Sequence, residues 1–475
     1  SKKDDGMRFV GRDRELKKLN ELYQEEEFQF VVIYGRRRVG KTMLINEFLK
    51  KKRSAYYMAV EGTSKENLSS ISKVLLAEKN EEFYMPEFPD FESLLSYIDH
   101  LCKNTDDQER LVIAIDEFPY LAGSYPAISS MLQSHIDQCW KDSNLFLILC
   151  GSSMSFMEEQ VLGYKSPLYG RRTAQFKLHP FTYFEARQML SGFKVEEQAV
   201  LYGVTGGIPE YLSRIHNDWS MDDNIKKLFF DESGRLFDEP GNLLKQELQD
   251  PSSYHSIITA IAGGASRLNE IATKTGLASS GCSAQIQSLI TLGIIKKETP
   301  LTEGIKSRKT LYTLEDFMFL FWYRFVRTNL SGIMRGIGET IYEVSVKPQI
   351  SHFMGYIFEE ICKQYLYLPQ IYMTLPFPTG EFGRWWGNNP KKKRQEEIDL
   401  MAENSSEAIF GECKWRNEPA DVDILETLQE RSGLFHYQKQ SYMIFSKSGF
   451  TEKLKLREQE EENVRLISFE DMNQL

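Results

Sequence analysis

Cysteine is scarce and unpatterned in this chain. Cys102, Cys139, Cys150, Cys282, Cys362 and Cys413 are the only six in 475 residues, none of them in a CxxC pair, and the seven histidines form no HxxxH pair. Such spacing excludes a disulfide framework and a structural zinc site. Long apolar runs are missing too. The most apolar stretch, FMFLFWYRFV (317–326), carries Arg324 and is far shorter than the roughly 20 residues needed to cross a bilayer. No membrane partner is therefore expected. There is no internal repeat and no low-complexity tract, and KKKR (391–394) is a compact charge run. No secretory leader precedes the first apolar pattern, which begins after Met7; a reduced, cytoplasmic chain is expected, with Met7 as its natural start and the polar SKKDDG before it outside the fold.

Basic residues are outnumbered, 58 Lys and Arg against 68 Asp and Glu, for a formal net charge of -10. Long-range attraction to nucleic acid is thereby excluded, although local basic surfaces are not. With 41% hydrophobic and 27% charged residues the chain is neither disordered nor collagen-like. At about 150 residues per domain, its length suggests about three domains.

Up to about residue 213, apolar strand-like runs alternate with helical patterns, as parallel βαβ units do. FVVIYG (30–35), AYYMAV (55–60), LVIAIDE (111–117), LFLILCGS (145–152) and TAQFKL (173–178) read as buried strands. A helical stretch runs on to about Gln249. LNEIATKTG, a turn, CSAQIQSLITLG and the strand-like IIKKETP and KTLYTL then follow in the order of a winged helix-turn-helix. The last portion reads as helix (FMGYIFEEICKQYLYL), three strands (FGRWWG, EEIDLMAE, AIFGECKW), helix (421–431) and strand (SYMIFS).

GRRRVGKT (35–42) satisfies the phosphate-loop pattern GxxxxGK[ST] directly after a strand and before a helix. Gly35 and Gly40 let backbone amides approach phosphates, the amides around Arg38, Val39 and Met43 favour anionic oxygens, Lys41 reaches the β and γ phosphates, and Thr42 offers a hydroxyl to Mg²⁺. The alternative is a glycine-rich turn that binds nothing. LVIAIDE delivers Asp116, expected to hold Mg²⁺ through water, and Glu117, expected to polarise the attacking water. Arg36, Arg37 and Arg38 face either phosphate or solvent.

FVGRDREL (9–16), GRRRVGKT, IDEFPYL (115–121), CGSS (150–153), SPLYGRR (166–172) and GGIPEYL (206–212) together resemble the archaeal-type branch of the STAND ATPases, relatives of the AAA+ proteins, over about residues 7–240. The resemblance implies ATP as ligand, Gly11 and Arg12 near the adenine end, Ser152 or Ser153 as a sensor of the γ-phosphate, and Pro209 of a helical lid packed on the base. It also makes Arg171 or Arg172 candidates for an arginine that senses or stabilises the phosphate charge, either within the chain or across a subunit boundary in a homo-oligomer. Solvated surface charge is the alternative for both.

In the winged-helix segment the second helix, about 281–292, bears Ser283, Gln285, Gln287 and Ser288 but no Lys or Arg, whereas the hairpin carries Lys296, Lys297, Lys306, Arg308 and Lys309. Phosphate contact through the hairpin is thus expected over base reading by the helix. A protein-protein connector is the other reading.

Asp399 lies in EEIDLMA, and thirteen residues on GECKW presents Glu412 and Lys414 on one strand face. If their strands are neighbours, the two carboxylates converge, with the Cys413 carbonyl beside them. Mg²⁺ or Mn²⁺ suits such oxygens, and Lys414 can orient a metal-activated water. This is the acid-acid-lysine constellation of the PD-(D/E)XK nucleases, and GRWWG, EIDL and GECKW resemble the nuclease-like domain fused to archaeal-type ATPases, over about residues 348–467. The resemblance implies an extra acidic ligand at Glu359; it departs at Ile398, where proline would stand. An ion pair on a sheet face and a fold that binds without cutting are the alternatives. Trp385, Trp386 and Trp415 can stack on bases or belong to the core, and Lys391 to Arg394 can meet phosphate or merely be solvated.

The resulting expectation is an α/β chain with a phosphate-loop core (7–190), helical lid (191–250), winged helix (251–330) and αβββαβ nuclease-like domain (331–475). It would be an ATP-hydrolysing switch controlling metal-dependent action on nucleic acid, DNA favoured over RNA. The alternative is an ATP-gated binding protein whose nuclease fold is not catalytic.

Overall fold

A computed structural model describes residues 9–77, 87–103, 109–304 and 306–475. Met7 and SKKDDG lie outside the described residues. The chain forms two compact units, one reaching to Pro180 and including Ile208–Ser213, the other comprising Phe181–Gly207 and Arg214–Leu475. Tyr183 is fully buried in the second unit, where its hydroxyl donates to Asn473 Oδ1 at 2.5 Å.

In the first unit, strands β1 (Gln29–Tyr34), β2 (Ser54–Met58), β3 (Val112–Asp116), β4 (Phe146–Gly151) and β5 (Ala174–Lys177) form one parallel sheet in the order β2-β3-β4-β1-β5. Every residue of β1, β3 and β4 is buried. Continuous apolar runs are what central parallel strands with both faces covered require. Phe30, Val32, Ile113, Ile115, Leu147 and Leu149 belong to one core, each burial contributing on the order of 1.5–3 kcal/mol. Edge strand β5 alternates between half-buried and exposed instead. Because the strands run in register, their carboxyl ends meet along one edge: Tyr34 stands beside Gly151, and Met58 beside Asp116. That edge is where open α/β sheets bind ligands.

In the second unit, helices Ser252–Ala262, Leu268–Thr275 and Ser279–Thr291 precede an antiparallel hairpin of β6 (Ile295–Glu298) and β7 (Leu311–Leu314). The apolar run 317–326 is a buried helix, Phe317–Phe321, continued by a π-helical turn over Trp322–Val326. Asp316 caps it, accepting from the Phe319 amide at 3.0 Å. Burial inside the protein accounts for its apolarity.

Farther on, β8 (Gly383–Asn389), β9 (Arg394–Glu403), β10 (Glu407–Lys414), β11 (Lys439–Ser446) and β12 (Val464–Ser468) form a mixed sheet in the order β12-β11-β10-β9-β8. The first three are antiparallel, and β10 to β12 are parallel. Helix Ile350–Leu366 precedes them, burying Phe353, Met354, Ile357, Phe358 and Ile361 at helical spacing, and helix Val422–Ser432 joins β10 to β11. The expected helix-strand order is present. β12 is a strand that the sequence reading did not include.

Among the described residues, no helix is long and apolar enough to cross a membrane.

Candidate active site

The loop after β1 is shaped by two glycines. A side chain at Gly35 would place its Cβ 2.6 Å from the Leu178 carbonyl oxygen and 3.1 Å from Val39 Cγ2. Gly40 takes φ 92°, a left-handed conformation that glycine adopts without strain, and caps helix Lys41–Leu49. The loop leads straight into unpaired amides of the helix start, a fixed anion-favouring end. Lys41 is buried, and its Nζ donates to the carbonyls of Gly35 and Arg36 at 2.8 and 2.9 Å. Burial pulls its pKa below the usual lysine value. An incoming phosphate would exchange those carbonyls for stronger, charge-assisted partners.

Asp116 closes the site from β3. Fully buried, it accepts at Oδ2 from the Thr42 and Tyr56 hydroxyls, both at 2.7 Å, and at Oδ1 from the Glu117 amide at 2.8 Å. Burial, then the Asp116 charge, holds the Tyr56 and Cys150 protons firmly in place. Glu117 sits at φ 51°, a costly conformation for a non-glycine residue, and such strain clusters at functional sites. Its carboxylate accepts from the Ser152 hydroxyl, and from the Ser152 amide at 3.4 Å. Two donors of Ser152, just past β4, thereby aim the Glu117 carboxylate.

Thr42 and Asp116 suit Mg²⁺, presenting hard oxygens within hydrogen-bond distance of each other. Among the described residues, no group of three or more His, Cys, Asp or Glu side chains could hold a metal ion. Magnesium here would therefore draw on nucleotide phosphate oxygens and water, its usual mode.

Around the loop, Arg12 is buried with its guanidinium on the Val39 and His179 carbonyls, at 2.8 and 2.5 Å. It follows Gly11, at φ 80°, and ties the loop to the end of β5. Pro209 begins a short helix in the returning segment, its Cγ 3.9 Å from a Cβ built on Gly40. Arg38 pairs with Glu210 of that segment at 2.7 Å, and Arg37 donates to the Tyr120 hydroxyl at 3.1 Å. For these two arginines the side chains engage protein groups, so Arg38 contributes to the loop through its backbone. Met43 is half-buried on the helix.

A second cluster lies between β9 and β10. Leu400 pairs with Gly411, so Asp399 and Glu412 are flanking neighbours across antiparallel strands. The Asp399 carboxylate accepts from the Cys413 amide at 3.0 Å. Glu412 meets Lys414 Nζ at 2.6 Å through Oε1, while its other oxygen is buried without a hydrogen bond, 3.6 Å from Arg431. Burial, then the Asp399 charge, raises the pKa of both Glu412 and Glu359 above the usual carboxylate range. Glu359, on helix Ile350–Leu366, is bound by Arg384. Asp399 and Glu412 are thus neighbouring carboxylates, Glu412 held by Lys414 and Arg431, whereas Glu359 is held by Arg384.

A family profile for an ATPase domain predominantly from Archaea matches residues 9–215, and one for Archaea bacterial proteins of unknown function matches residues 322–428. The uncharacterized protein MJECL04 of Methanocaldococcus jannaschii is 35% identical over 440 residues, 91% of this chain and 94% of that protein. This chain belongs to the archaeal ATPase family. The uncharacterized ATP-binding protein MJ0423 of the same organism is 49% identical over 45 residues, 10% of this archaeal ATPase and 76% of that protein. Among solved structures, the Walker-type ATPase PABY2304 of Pyrococcus abyssi has a TM-score of 0.49 at 20% identity, covering 66% of this chain and 96% of that one. ORC2 of Aeropyrum pernix has 0.46 at 15%, covering 70% and 97%.

Several residues of this archaeal ATPase stand apart from where the sequence reading put them. Arg171 makes a two-point pair with Asp137, at 2.9 and 2.7 Å, and Arg172 donates to Gln175 at 2.6 Å. Both precede β5, whose Ala174 pairs with Val31, so they lie at the amino edge of the sheet, a strand's length of about 20 Å from the loop. Within one chain they do not reach the phosphate site. Trp385, Trp386 and Trp415 are buried, Trp415 against Phe358 and Phe469, which removes them as stacking platforms. Lys296 is only partly exposed, pairing with Glu298 at 3.1 Å, and Lys309 pairs with Glu303 at 2.6 Å, so these hairpin charges are compensated at home. In the basic run, Lys392 and Arg394 pair with Glu430 and Glu396. Ser153 stands at the start of helix Met154–Phe156, whereas Tyr56 and Cys150 touch Asp116 and have no signal of that in the sequence. Their strands were legible, but which strand stands beside β3 was not.

Proposed function

We propose that this ATPase binds and hydrolyses ATP with Mg²⁺ as a cytoplasmic molecular switch controlling a metal-dependent nuclease-like domain that acts on nucleic acid, DNA favoured. Lys41 and the loop amides bind the phosphates, Thr42 and Asp116 hold the magnesium side, Glu117 polarises the attacking water, and Ser152 fixes Glu117. Magnesium would supply charge neutralisation on the phosphates. Arg171 or Arg172 would stabilise charge only on a neighbouring copy's nucleotide. Pro209 would pack on the base.

For the second activity, the observation that carries the reading is the meeting of Asp399 and Glu412 on adjacent strands with Lys414 on the Glu412 face. The helix-strand order of the sheet supports a PD-(D/E)XK core, and three helices followed by a hairpin support a winged helix. Mg²⁺ or Mn²⁺ would sit on Asp399 and Glu412. Lys414 orients water and offsets phosphate charge there.

Circular and linear DNA incubated with Mg²⁺ or Mn²⁺, with and without ATP, should be cleaved by the wild type and not by Asp399→Ala or Lys414→Ala. Cleavage surviving in both variants, or never seen, sinks the nuclease reading. A second reading, an ATP-gated binding protein with a non-catalytic nuclease fold, is favoured by one observation: Glu359 is bound to Arg384.

A further inference from the structure

We infer that Glu210 is a positioning residue for the phosphate loop: by binding the Arg38 side chain it holds residue 38 in the left-handed backbone conformation that shapes the loop for a nucleotide. This rests on the reading of residues 35–42 as the ATP site proposed above.

Arg38 stands at φ 72° inside the loop. A side chain disfavours that region by roughly tenfold in population, because its Cβ crowds the following carbonyl. A non-glycine residue stays there only when its surroundings hold it. Gly40 is left-handed as well, at φ 92°, but glycine takes such a backbone without strain. Of the two left-handed residues in the loop, Arg38 is therefore the one that needs an outside hold. A left-handed residue in such a run turns successive amides into one anion-binding concavity, so a relaxed residue 38 would spoil the cradle.

The hold comes from the returning segment, which belongs to the same compact unit as the loop. Arg38 Nη1 meets Glu210 Oε2 at 2.7 Å, with side-chain exposures of only 22% and 25%. Such a pair is less screened than one in open water. The Glu210 amide also donates to the Arg38 carbonyl at 3.5 Å, so residues 38 and 210 are joined through backbone and side chain alike. Glu210 is itself fixed, because Ile208, Tyr211 and Leu212 around it are buried. On the other flank Arg12 donates to the Val39 carbonyl at 2.8 Å. The loop is thus braced from both sides before any phosphate arrives. If Arg38 instead served phosphate directly, Glu210 would be a competitor for it, and the two roles predict opposite effects of removing Glu210.

The test uses the full chain, freed of nucleotide and titrated calorimetrically with MgADP. Arg38→Ala should bind about tenfold more weakly than the wild type, because the strain stays and the brace is gone. Arg38→Gly also loses the brace but removes the strain, and should bind within about threefold of the wild type. Glu210→Gln keeps the side-chain shape without its charge and should weaken binding about fivefold; it decides the matter if Arg38→Ala fails to fold. In the Arg38→Gly background Glu210→Gln should change nothing, since the two act as one unit. Lys41→Ala should abolish binding in each background. Arg38→Gly as weak as Arg38→Ala, with Glu210→Gln binding as tightly as the wild type or more so, makes Arg38 a direct phosphate ligand and overturns the inference. Equal, Lys41-dependent affinity in all variants overturns it too and leaves the ATP site standing. Binding that ignores Lys41→Ala, or no binding by the wild type, overturns the site reading and this inference with it.

Discussion

The Thr42 hydroxyl donates to Asp116 Oδ2 at 2.7 Å, joining the end of the phosphate loop to the end of β3. Two groups 74 positions apart in the chain are brought into hydrogen-bond contact because β1, β4 and β3 are adjacent and in register. The same Asp116 oxygen also receives the Tyr56 hydroxyl from β2. The carboxylate is therefore oriented before any nucleotide arrives, which is how a preorganised site lowers the cost of binding charge.

Lys41→Ala should abolish phosphate release, whereas Glu117→Gln should keep nucleotide binding and lose turnover by about 100-fold or more. Phosphate release together with fluorescent-nucleotide binding separates the two. Turnover retained in Lys41→Ala would place hydrolysis elsewhere.

Ser152→Ala frees the Glu117 carboxylate from one of its two Ser152 donors. The expected result is a kcat lowered about tenfold at nearly unchanged KM, since orientation and not affinity is lost. Tyr56→Phe removes one of several donors to Asp116 and should cost about 1 kcal/mol of stability. Chemical denaturation and steady-state kinetics check both.

Gly35→Ala must push the Leu178 carbonyl, 2.6 Å from the new methyl, and the loop apart. A stability loss of about 1–3 kcal/mol is expected, with ATP affinity falling alongside. Arg171→Ala, by contrast, breaks only an exposed pair with Asp137 and should change stability by less than about 1 kcal/mol.

Glu359 and Glu412 have folded-state pKa values raised above those of the unfolded chain, chiefly by burial and then by Asp399. For a raised pKa, the stabilising contribution is present below the unfolded value of about 4.3 and is lost as pH rises through the folded values. In chelator, the melting temperature read by calorimetry should thus fall between about pH 5 and 8. Asp399→Asn should flatten the slope, and Mn²⁺ should oppose it by binding the folded carboxylates. A melting temperature that rises over this range contradicts the arrangement.

Much of the site was legible because its chemistry is local in sequence. GRRRVGKT sits on a strand-loop-helix junction, and the pair Asp116 and Glu117 ends an apolar strand; both are read from spacing alone. The alternation of Glu412 and Lys414 along β10 is of the same kind. What escaped was what depends on neighbours. Tyr56 was one tyrosine of AYYMAV until β2 was found beside β3, and Arg384 was one residue of FGRWWG until helix Ile350–Leu366 brought Glu359 to it.

By itself, then, the sequence determined the phosphate loop, the acidic strand end, the strand and helix pattern of both sheets and the acid-acid-lysine spacing. Each is set by periodicity and by residues a few positions apart. Only tertiary structure decided that Arg171 and Arg172 stand at the amino edge of their own sheet, that the tryptophans are core, that Lys296 is spent on Glu298 and that Arg384 holds Glu359. A charge or an aromatic ring on a strand has no fixed role until the sheet order and the packed helix choose its partner, and desolvation makes that choice count.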